Sequence, residues 1–343
     1  MQTTKLGRTQ LVVTRTAFGV LPLQRTDMPE AVRILRRAFD AGINFYDTAR
    51  AYSDSEEKIG NALSNVRDHI VIATKSMATT KEGVLSDLET SLRNLQTDYV
   101  DILQLHTPSQ LPDAHDPNSS YAALLEAREK GMVRFIGITN HSRERAIEAV
   151  ESGLYDTLQF PICHISSPED LALIDLCRKH DVGLIGMKAL SGGLLTQARP
   201  AFAFLRQYEN LVPIWGFQRM EELEELLALD VESPALDDAI MELIERDRRE
   251  LAGDFCRACG YCLPCPADIP IPMAARMGLL LRRMPSQQFL GANWQEMMRR
   301  IENCTECGHC RSHCPYNLDT PVLLRRMLDD YEAFIAAEAD TTT

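Results

Sequence analysis

The chain has 343 residues, of which 45% are hydrophobic and 25% charged, a balance typical of a globular protein with room for one large domain and one small one. Its formal net charge of -13 disfavours binding to phosphate backbones and anionic lipid. No apolar run reaches the roughly 18 residues of a membrane span, and the first residues lack the apolar core of a signal peptide. We therefore expect a cytoplasmic protein that binds neither nucleic acid nor membrane.

Short β-branched runs alternate with amphipathic segments along the first two thirds of the chain. The runs are 16–18, 43–46, 70–73, 100–103, 133–136, 158–160, 182–185 and 212–215. Between them, apolar residues repeat at three- and four-residue steps, which predicts helices. Eight strand–helix units predict an α/β fold, a closed (β/α)8 TIM barrel. The alternative, an open doubly wound sheet, would begin with a glycine-rich phosphate turn, and residues 19–22 (Gly-Val-Leu-Pro) do not form one.

The segments around the predicted barrel set its boundaries. Residues 5–13 predict a small hairpin before the first barrel strand, and residues 237–253 predict a helix that leads out of the last one. Beyond this helix the composition shifts to Cys, Pro and Arg. We expect a barrel domain at 1–253, a small helical domain at 254–335 and a disordered tail at 336–343.

Four reactive side chains follow the predicted strands, at the end of the barrel where active sites gather. They are Asp47, Tyr52, Lys75 and His106. Each alone could be an ordinary cap, loop aromatic, strand end or buried histidine. Together they predict a proton-donating site: Tyr52 gives its proton to an alkoxide, Lys75 lowers the tyrosine pKa, and Asp47 holds Lys75. His106 would donate a hydrogen bond to a substrate carbonyl oxygen.

These residues carry a resemblance to the aldo/keto reductase family over about residues 3–230. The matching stretches are Asn-Phe-Tyr-Asp-Thr-Ala-Arg-Ala-Tyr at 44–52, Ile-Ala-Thr-Lys at 72–75 and Leu-Gln-Leu-His at 103–106. They agree with the family's Asp, Tyr, Lys and His tetrad in residue type and order. The resemblance implies NAD(P)H-linked reduction of a small carbonyl compound to an alcohol, with the proton from Tyr52.

The resemblance also implies a set of contacts to the nicotinamide cofactor, NADP(H) or NAD(H). The implied residues are Thr139, Asn140, Gln159, Met187, Lys188, Gly216, Gln218, Arg219 and Glu225. The first three correspond to the family's ligands of the nicotinamide carboxamide. Met187 stands where many members stack a tyrosine on the nicotinamide ring, and Arg219 is the only basic residue in the segment that corresponds to the 2′-phosphate site.

Ten cysteines are distributed very unevenly along the chain. Cys163 and Cys177 lie in apolar barrel segments and are expected to be core thiols, whereas the other eight fall between residues 256 and 314. Tight grouping of this kind indicates metal ligation in a reducing compartment rather than disulfides. In two-cluster ferredoxins, three cysteines at three-residue steps hold one [4Fe-4S] cluster and the fourth, before proline, reaches the other. This rule assigns Cys256, Cys259, Cys262 and Cys314 to one cluster, and Cys304, Cys307, Cys310 and Cys265 to a second.

Zinc is the alternative metal, although it usually takes two cysteine pairs separated by a longer spacer. The first cysteine group is one residue short of the bacterial ferredoxin spacing before Cys265, whereas the second follows it fully. His309 and His313 adjoin the ligands and are expected to be exposed helix residues.

Three functions are compatible with a nicotinamide barrel followed by iron–sulfur clusters. The barrel could reduce carbonyls while the clusters stabilise or regulate the second domain, or the clusters could exchange electrons with a redox partner protein. In the third, the barrel is a regulatory nicotinamide-binding module without turnover. Nicotinamide exchanges two electrons as hydride and each cluster one, so clusters alone do not establish an internal electron path.

Overall fold

A computed structural model describes residues 1–251, 255–283 and 286–341. Residues Met1–Ala189 and Ala198–Ile244 form one compact unit, called here the barrel unit. Residues Leu190–Gln197 and Glu245–Thr343 form a second compact unit, called here the cysteine unit.

Eight parallel strands close the barrel, in the order β10-β3-β4-β5-β6-β7-β8-β9. They are β3 (Ala17–Gly19), β4 (Phe45–Asp47), β5 (Val71–Ser76), β6 (Val100–His106), β7 (Val133–Thr139), β8 (Thr157–Pro161), β9 (Gly183–Met187) and β10 (Leu211–Trp215). Each predicted run corresponds to one of these strands, so the predicted (β/α)8 barrel is confirmed.

The predicted amino-terminal hairpin is also present, as β1 (Thr3–Lys5) paired antiparallel with β2 (Val12–Thr14). Leu6, Leu11 and Val13 pack into one buried cluster with Phe45 and Val71, which are the first residues of their strands. The hairpin therefore covers the amino-terminal end of the barrel and leaves the carboxyl-terminal strand ends for the site.

Helices follow the barrel strands. They are α1 (Met28–Asp40), α2 (Ser55–Leu63), α3 (Lys81–Leu95), α4 (Ser120–Glu129), α5 (Arg143–Ser152), α6 (Pro168–Lys179), α7 (Ala198–Arg206) and α8 (Met220–Glu232). Five of them begin at a side chain that accepts a hydrogen bond from a first-turn backbone N–H; these N-caps are Asp27, Thr80, Ser119, Ser142 and Ser167. Such caps fix where each helix starts after its strand.

The division between the two units falls inside α9 (Asp238–Glu250), and the loop Leu190–Gln197 after β9 belongs with the cysteine unit. A buried arginine accounts for the loop's placement: Arg276 Nη1 donates a 3.1 Å hydrogen bond to the Gly192 carbonyl. The predicted boundary after residue 253 placed this loop in the barrel domain. Residue 253 itself lies outside the described residues.

The cysteine unit is helical, with short elements around the cysteines. Its further helices are α10 (Ile271–Ala274), α11 (Met277–Arg283), α12 (Ala292–Arg299), α13 (His309–Ser312) and α14 (Thr320–Thr341). Residues as far as Thr341 of the segment expected to be a disordered tail are assigned to α14, which continues through an alanine-rich stretch after Ala336. Within the described residues, no helix has the length and apolarity to span a bilayer.

Candidate active site and cysteine-lined cavities

The four tetrad residues lie at the carboxyl-terminal rim of three neighbouring strands. Asp47 ends β4, Lys75 is the penultimate residue of β5, and His106 ends β6. Tyr52 lies in the short loop that joins β4 to α2. Because the strands are parallel, these ends lie at one edge of the sheet, and the structure brings all four predicted side chains together.

Asp47 and Lys75 form a buried ion pair. Lys75 Nζ donates to Asp47 Oδ2 at 2.6 Å and to the Thr48 carbonyl at 2.6 Å. The two side chains are only 3% and 1% exposed. Burial raises the pKa of Asp47 and lowers the pKa of Lys75, while their mutual attraction opposes both shifts. The short contact therefore holds the ammonium at a defined point under the site.

Tyr52 lies between the lysine and the histidine. Lys75 Nζ is 5.1 Å from the centroid of the Tyr52 ring, and the tyrosine meets His106 edge-on with centroids 5.7 Å apart. Burial and the charge of Asp47 raise the pKa of Tyr52, so the net shift is opposite to the lowering predicted from Lys75. The larger cause is the burial of the tyrosine, and the negative charge of Asp47 adds to it. Tyr52 is therefore held in its protonated form, as a proton donor must be.

His106 is held as a neutral imidazole. Burial and the nearby Lys75 charge lower its pKa to about 3. Its Nδ1 is buried and has no hydrogen-bond partner among the described residues. A neutral imidazole carries one N–H donor and one acceptor, which suits a hydrogen bond to a carbonyl oxygen without transfer of the histidine's own proton.

Two glutamine side chains contact the Asp47 carboxylate of the tetrad, a contact that the sequence did not predict. Gln104 Nε2 donates to Gln159 Oε1 at 2.9 Å and lies 3.4 Å from Asp47 Oδ1; Gln159 Nε2 lies 3.4 Å from Asp47 Oδ2. Gln104 precedes His106 by two residues, so strand periodicity places both on the same face. A polar residue two positions before His106 was therefore the sequence signal that could have placed Gln104 at the site. Gln159, expected at the carboxamide, also contacts the Asp47 carboxylate.

The other two implied carboxamide ligands lie at the end of β7. Thr139 ends β7, and its buried Oγ1 has no partner among the described residues. Asn140 follows it, with Nδ2 donating to the Pro108 carbonyl at 2.9 Å and Oδ1 accepting from Ser142 N at 2.8 Å. A buried hydroxyl without a partner costs free energy unless a ligand or water completes it. The Thr139 position thus fits a polar group bound at this rim.

The remaining implied cofactor residues follow β9 and β10. Met187 ends β9, and Lys188 follows it with a left-handed φ of 60°. Gly216 and Gln218 lie in the loop after β10, Arg219 is the residue before α8, and Glu225 is exposed on that helix. The Arg219 guanidinium contacts Glu222 at 2.8 Å and is 69% exposed. An anion that binds Arg219 would therefore have to displace only a weak, solvent-screened ion pair with Glu222.

In the cysteine unit, the cysteines surround two cavities. One, of about 370 Å³, is lined by Cys262, Cys265, Cys304, Cys307 and Cys310. The other, of about 360 Å³, is lined by Cys256, Cys259, Cys262, Cys310 and Cys314. Each cavity contains one complete predicted ligand set, including the fourth cysteine from the opposite sequence group. No three Cys, His, Asp or Glu side chains in the described residues are arranged to hold a single metal ion.

The chemistry of these cavities fits metal-bound thiolates. Burial raises the pKa of Cys262 to about 12 and also raises the pKa values of the Cys256 and Cys310 thiols. A thiolate in such a place requires a positive charge beside it, which a bound metal supplies. Cys163 and Cys177 are buried in the barrel unit as expected, and burial raises the pKa of Cys177 to about 12.

The two histidines of the second cysteine group differ in exposure. His313 is exposed as predicted, but His309 is partly buried, and its Nε2 is buried without a partner in the described part of the chain. The prediction of an exposed side chain is wrong for His309, because this first residue of α13 lines the cavity.

Known protein families match both the barrel part and the cysteine-rich part of the chain. Residues 15–235 match the model of the aldo/keto reductase family, and residues 255–319 match the model of a 4Fe-4S dicluster domain. L-galactose dehydrogenase of Arabidopsis thaliana is 33% identical over 217 residues, which cover 57% of this chain and 67% of the plant protein.

Two solved structures share the barrel. A thermostable aldo-keto reductase, Tm1743, solved with the inhibitor epalrestat, is 25% identical with a TM-score of 0.62, covering 72% of this chain and 100% of its own. An aldo-keto reductase from Klebsiella pneumoniae solved with NADPH is 22% identical with a TM-score of 0.62, covering 71% of this chain and 94% of its own. With a family model that spans well over half of its length, this chain belongs to the aldo/keto reductase family.

Proposed function

We propose that this protein reduces a small aldehyde or ketone to an alcohol with NADP(H) or NAD(H), and that its cysteine unit holds two [4Fe-4S] clusters. The observation that carries the first part is the position of Tyr52. Its ring touches His106, its hydroxyl stays protonated, and the buried pair of Lys75 and Asp47 lies beneath it.

Each tetrad residue has one task in this reaction. The neutral His106 ring donates a hydrogen bond to the substrate carbonyl oxygen and fixes the carbonyl beside Tyr52. When bound, a reduced nicotinamide supplies the hydride that the carbonyl carbon takes up. The Tyr52 hydroxyl then gives its proton to the same oxygen, which completes the alcohol. An alkoxide is a stronger base than a phenolate, so this transfer stays favourable despite the raised pKa of Tyr52.

Lys75 and Asp47 act on the Tyr52 phenolate that is left after the proton transfer. Loss of the Tyr52 proton leaves a phenolate in a buried site, which is unfavourable unless a positive charge lies near it. Lys75 supplies that charge, and Asp47, held by the side chains of Gln104 and Gln159, keeps the ammonium in place.

The cofactor would be held at two places on the rim. Thr139, Asn140, Met187 and Lys188, at the ends of β7 and β9, would hold the nicotinamide end, with Gln159 beneath them. Gly216, Gln218, Arg219 and Glu225 would hold the adenosine end, and Arg219 would meet a 2′-phosphate. The Klebsiella relative solved with NADPH supports NADP(H) as the first cofactor to try.

The eight cysteines would hold the two clusters in the sets that line the two cavities. Cys256, Cys259, Cys262 and Cys314 form one set, and Cys304, Cys307, Cys310 and Cys265 form the other. Two cavities with crossed fourth cysteines support this count. The clusters would stabilise the cysteine unit or exchange single electrons with a redox partner protein, in the reducing cytoplasm that clustered thiolates require.

The test is anaerobic oxidation of NADPH with a panel of aldehydes and ketones. We expect Tyr52→Phe to lower kcat by about 10²- to 10⁴-fold, because general acid catalysis contributes that much. Tyr155→Phe is the matched control, since this buried hydroxyl has no hydrogen-bond partner among the described residues and does not belong to the site. Binding of NADPH without turnover of any carbonyl would reject the reductase proposal in favour of the electron-transfer or regulatory function.

A further inference from the structure

The two cysteine groups share one local backbone design. Cys259-Gly260-Tyr261-Cys262 and Cys307-Gly308-His309-Cys310 have the same spacing, and their glycines both take a left-handed φ, 88° at Gly260 and 75° at Gly308. The residue after each glycine differs: tyrosine in the first group and histidine in the second. Because the two loops are otherwise alike, this one substitution can give the two cavities different chemical properties.

His309 is built into its cavity. It lines the 370 Å³ cavity together with Cys265, Cys304, Cys307 and Cys310. Its Nε2 is completely shielded from solvent, and no described residue offers it a hydrogen bond. Tyr261 is not among the described residues that line the corresponding 360 Å³ cavity. A buried ring nitrogen without a protein partner is costly, so a group in the cavity is expected to complete it. Cluster and thiolate sulfurs are acceptors, which calls for the tautomer with the proton on Nε2.

The neighbouring histidine fixes the orientation of this ring. The His309 and His313 rings lie with centroids 4.0 Å apart and planes tilted by 31°. His313 Nδ1 lies 2.8 Å from the His309 carbonyl and 3.1 Å from Ser312 Oγ. Since a carbonyl only accepts, His313 Nδ1 carries a proton and donates it there. The His313 ring is thus anchored to the backbone of His309 and packs on its side chain.

We propose that His309 Nε2–H donates a hydrogen bond to a sulfur of the cluster held by Cys304, Cys307, Cys310 and Cys265, and thereby raises the reduction potential of that cluster. Reduction adds one electron, from a one-electron donor, to the cluster. The added negative charge is shared by its sulfurs, and an N–H donor stabilises the reduced form more than the oxidised form. The proton stays on Nε2, and no covalent bond forms or breaks. The inference rests on the proposed second cluster.

An EPR-monitored redox titration of the intact protein with dithionite as the electron donor tests this assignment. In His309→Phe, which keeps a ring but removes the N–H, we expect the reduced-to-oxidised ratio of one cluster to fall about tenfold at fixed potential, equal to about 59 mV for one electron. The other cluster should keep its midpoint. His309→Gln, whose side-chain amide N–H can replace Nε2–H, should restore most of the loss. His313→Phe, which keeps the ring packing but loses the contact to the His309 carbonyl, should shift that midpoint less than His309→Phe does.

The outcomes are distinguishable. Iron and sulfide analysis of wild type first decides whether two clusters are present, and a single cluster in the other cavity would overturn the proposed cluster count and this inference together. With two clusters present, an unchanged midpoint in His309→Phe, or equal shifts of both clusters, overturns the inference alone. If His309→Phe fails to assemble its clusters, pulsed EPR of reduced wild-type protein carrying ¹⁵N-histidine decides: a coupled histidine ¹⁵N that His309→Gln removes supports the bond, and no coupling rejects it.

Discussion

The barrel unit and the cysteine unit hold their reactive groups in opposite ways. In the barrel, Asp47 and Lys75 stand on packed strands and satisfy each other with protein atoms alone. In the cysteine unit, the thiols lie in loops and very short helices, with left-handed backbone beside them at Ala258 and Glu306. Their side chains face cavities rather than packed side chains. The barrel site is therefore organised by the fold, whereas the cysteine unit needs a metal centre to complete its interior.

Removal of iron should produce the largest difference between the two units. We expect anaerobic chelation to abolish the amide-exchange protection of α13 and of the first turns of α14, because metal binding contributes directly to the folding free energy of such small units. Protection of α3 and β6 in the barrel should stay. Hydrogen exchange followed by mass spectrometry measures both in one sample. Equal loss of protection in α3 and α13 would contradict this independence.

Single cysteine variants make the same comparison without a chelator. Cys304→Ser should lower the thermal stability of the cysteine unit more than the specific activity of the remaining protein. Cys177→Ser is the matched control, because Cys177 is a buried barrel thiol outside both cavities. Stability and specific activity falling in parallel in Cys304→Ser would show that the barrel depends on the clusters.

The next largest effect concerns the ion pair under the barrel site. Lys75→Met should cost about 3–5 kcal/mol of unfolding free energy, because it leaves the buried Asp47 carboxylate without its partner. The double variant Asp47→Asn, Lys75→Met should recover much of that loss without recovering activity. Urea unfolding measures the stability, and NADPH oxidation measures the activity.

An exposed pair provides the control for this experiment. Glu232 pairs with Arg199 on the barrel surface, with about half of each side chain exposed. Glu232→Gln should therefore change the urea midpoint far less than Lys75→Met. A Lys75→Met protein as stable as wild type would show that Asp47 is satisfied without the lysine, for instance by protonation, and that the pair serves only the reaction.

Much of the barrel could be predicted because its signals are local. Each strand is a short β-branched run, and Asp47, Lys75 and His106 each lie within about three residues after one of those runs, so parallel topology alone brings them together. The grouping of the cysteines likewise follows from their spacing, whereas the crossed ligand sets stay a prediction. These are features in which neighbouring residues in the sequence decide the structure.

Other features could not be predicted, because they depend on contacts between distant residues. The Gln104 and Gln159 side chains meet only through the register of three parallel strands, β6, β7 and β8. The loop Leu190–Gln197 belongs to the cysteine unit through a hydrogen bond from Arg276, and the Tyr52 pKa is raised by burial together with the charge of Asp47. Sequence motifs and hydrophobic periodicity do not report such contacts between distant residues or their combined effect on a pKa.

The smallest expected effect is the dependence of barrel stability on the charge of His106. Its pKa in the folded protein is about 3, below the 6.5 of an ordinary histidine. Between these values the unfolded chain binds a proton that the folded chain does not, so this contribution to stability is present above about pH 6.5 and is lost as the pH falls. One pH unit below 6.5 the loss is about 1.4 kcal/mol. We therefore expect the stability of wild type relative to His106→Gln, from urea unfolding, to fall by about that amount between pH 7.5 and pH 5.5. An unchanged difference between these two pH values would mean that His106 takes up its proton in the folded barrel as readily as in the unfolded chain, and the neutral hydrogen-bond donor that the reaction needs would be lost at mildly acidic pH.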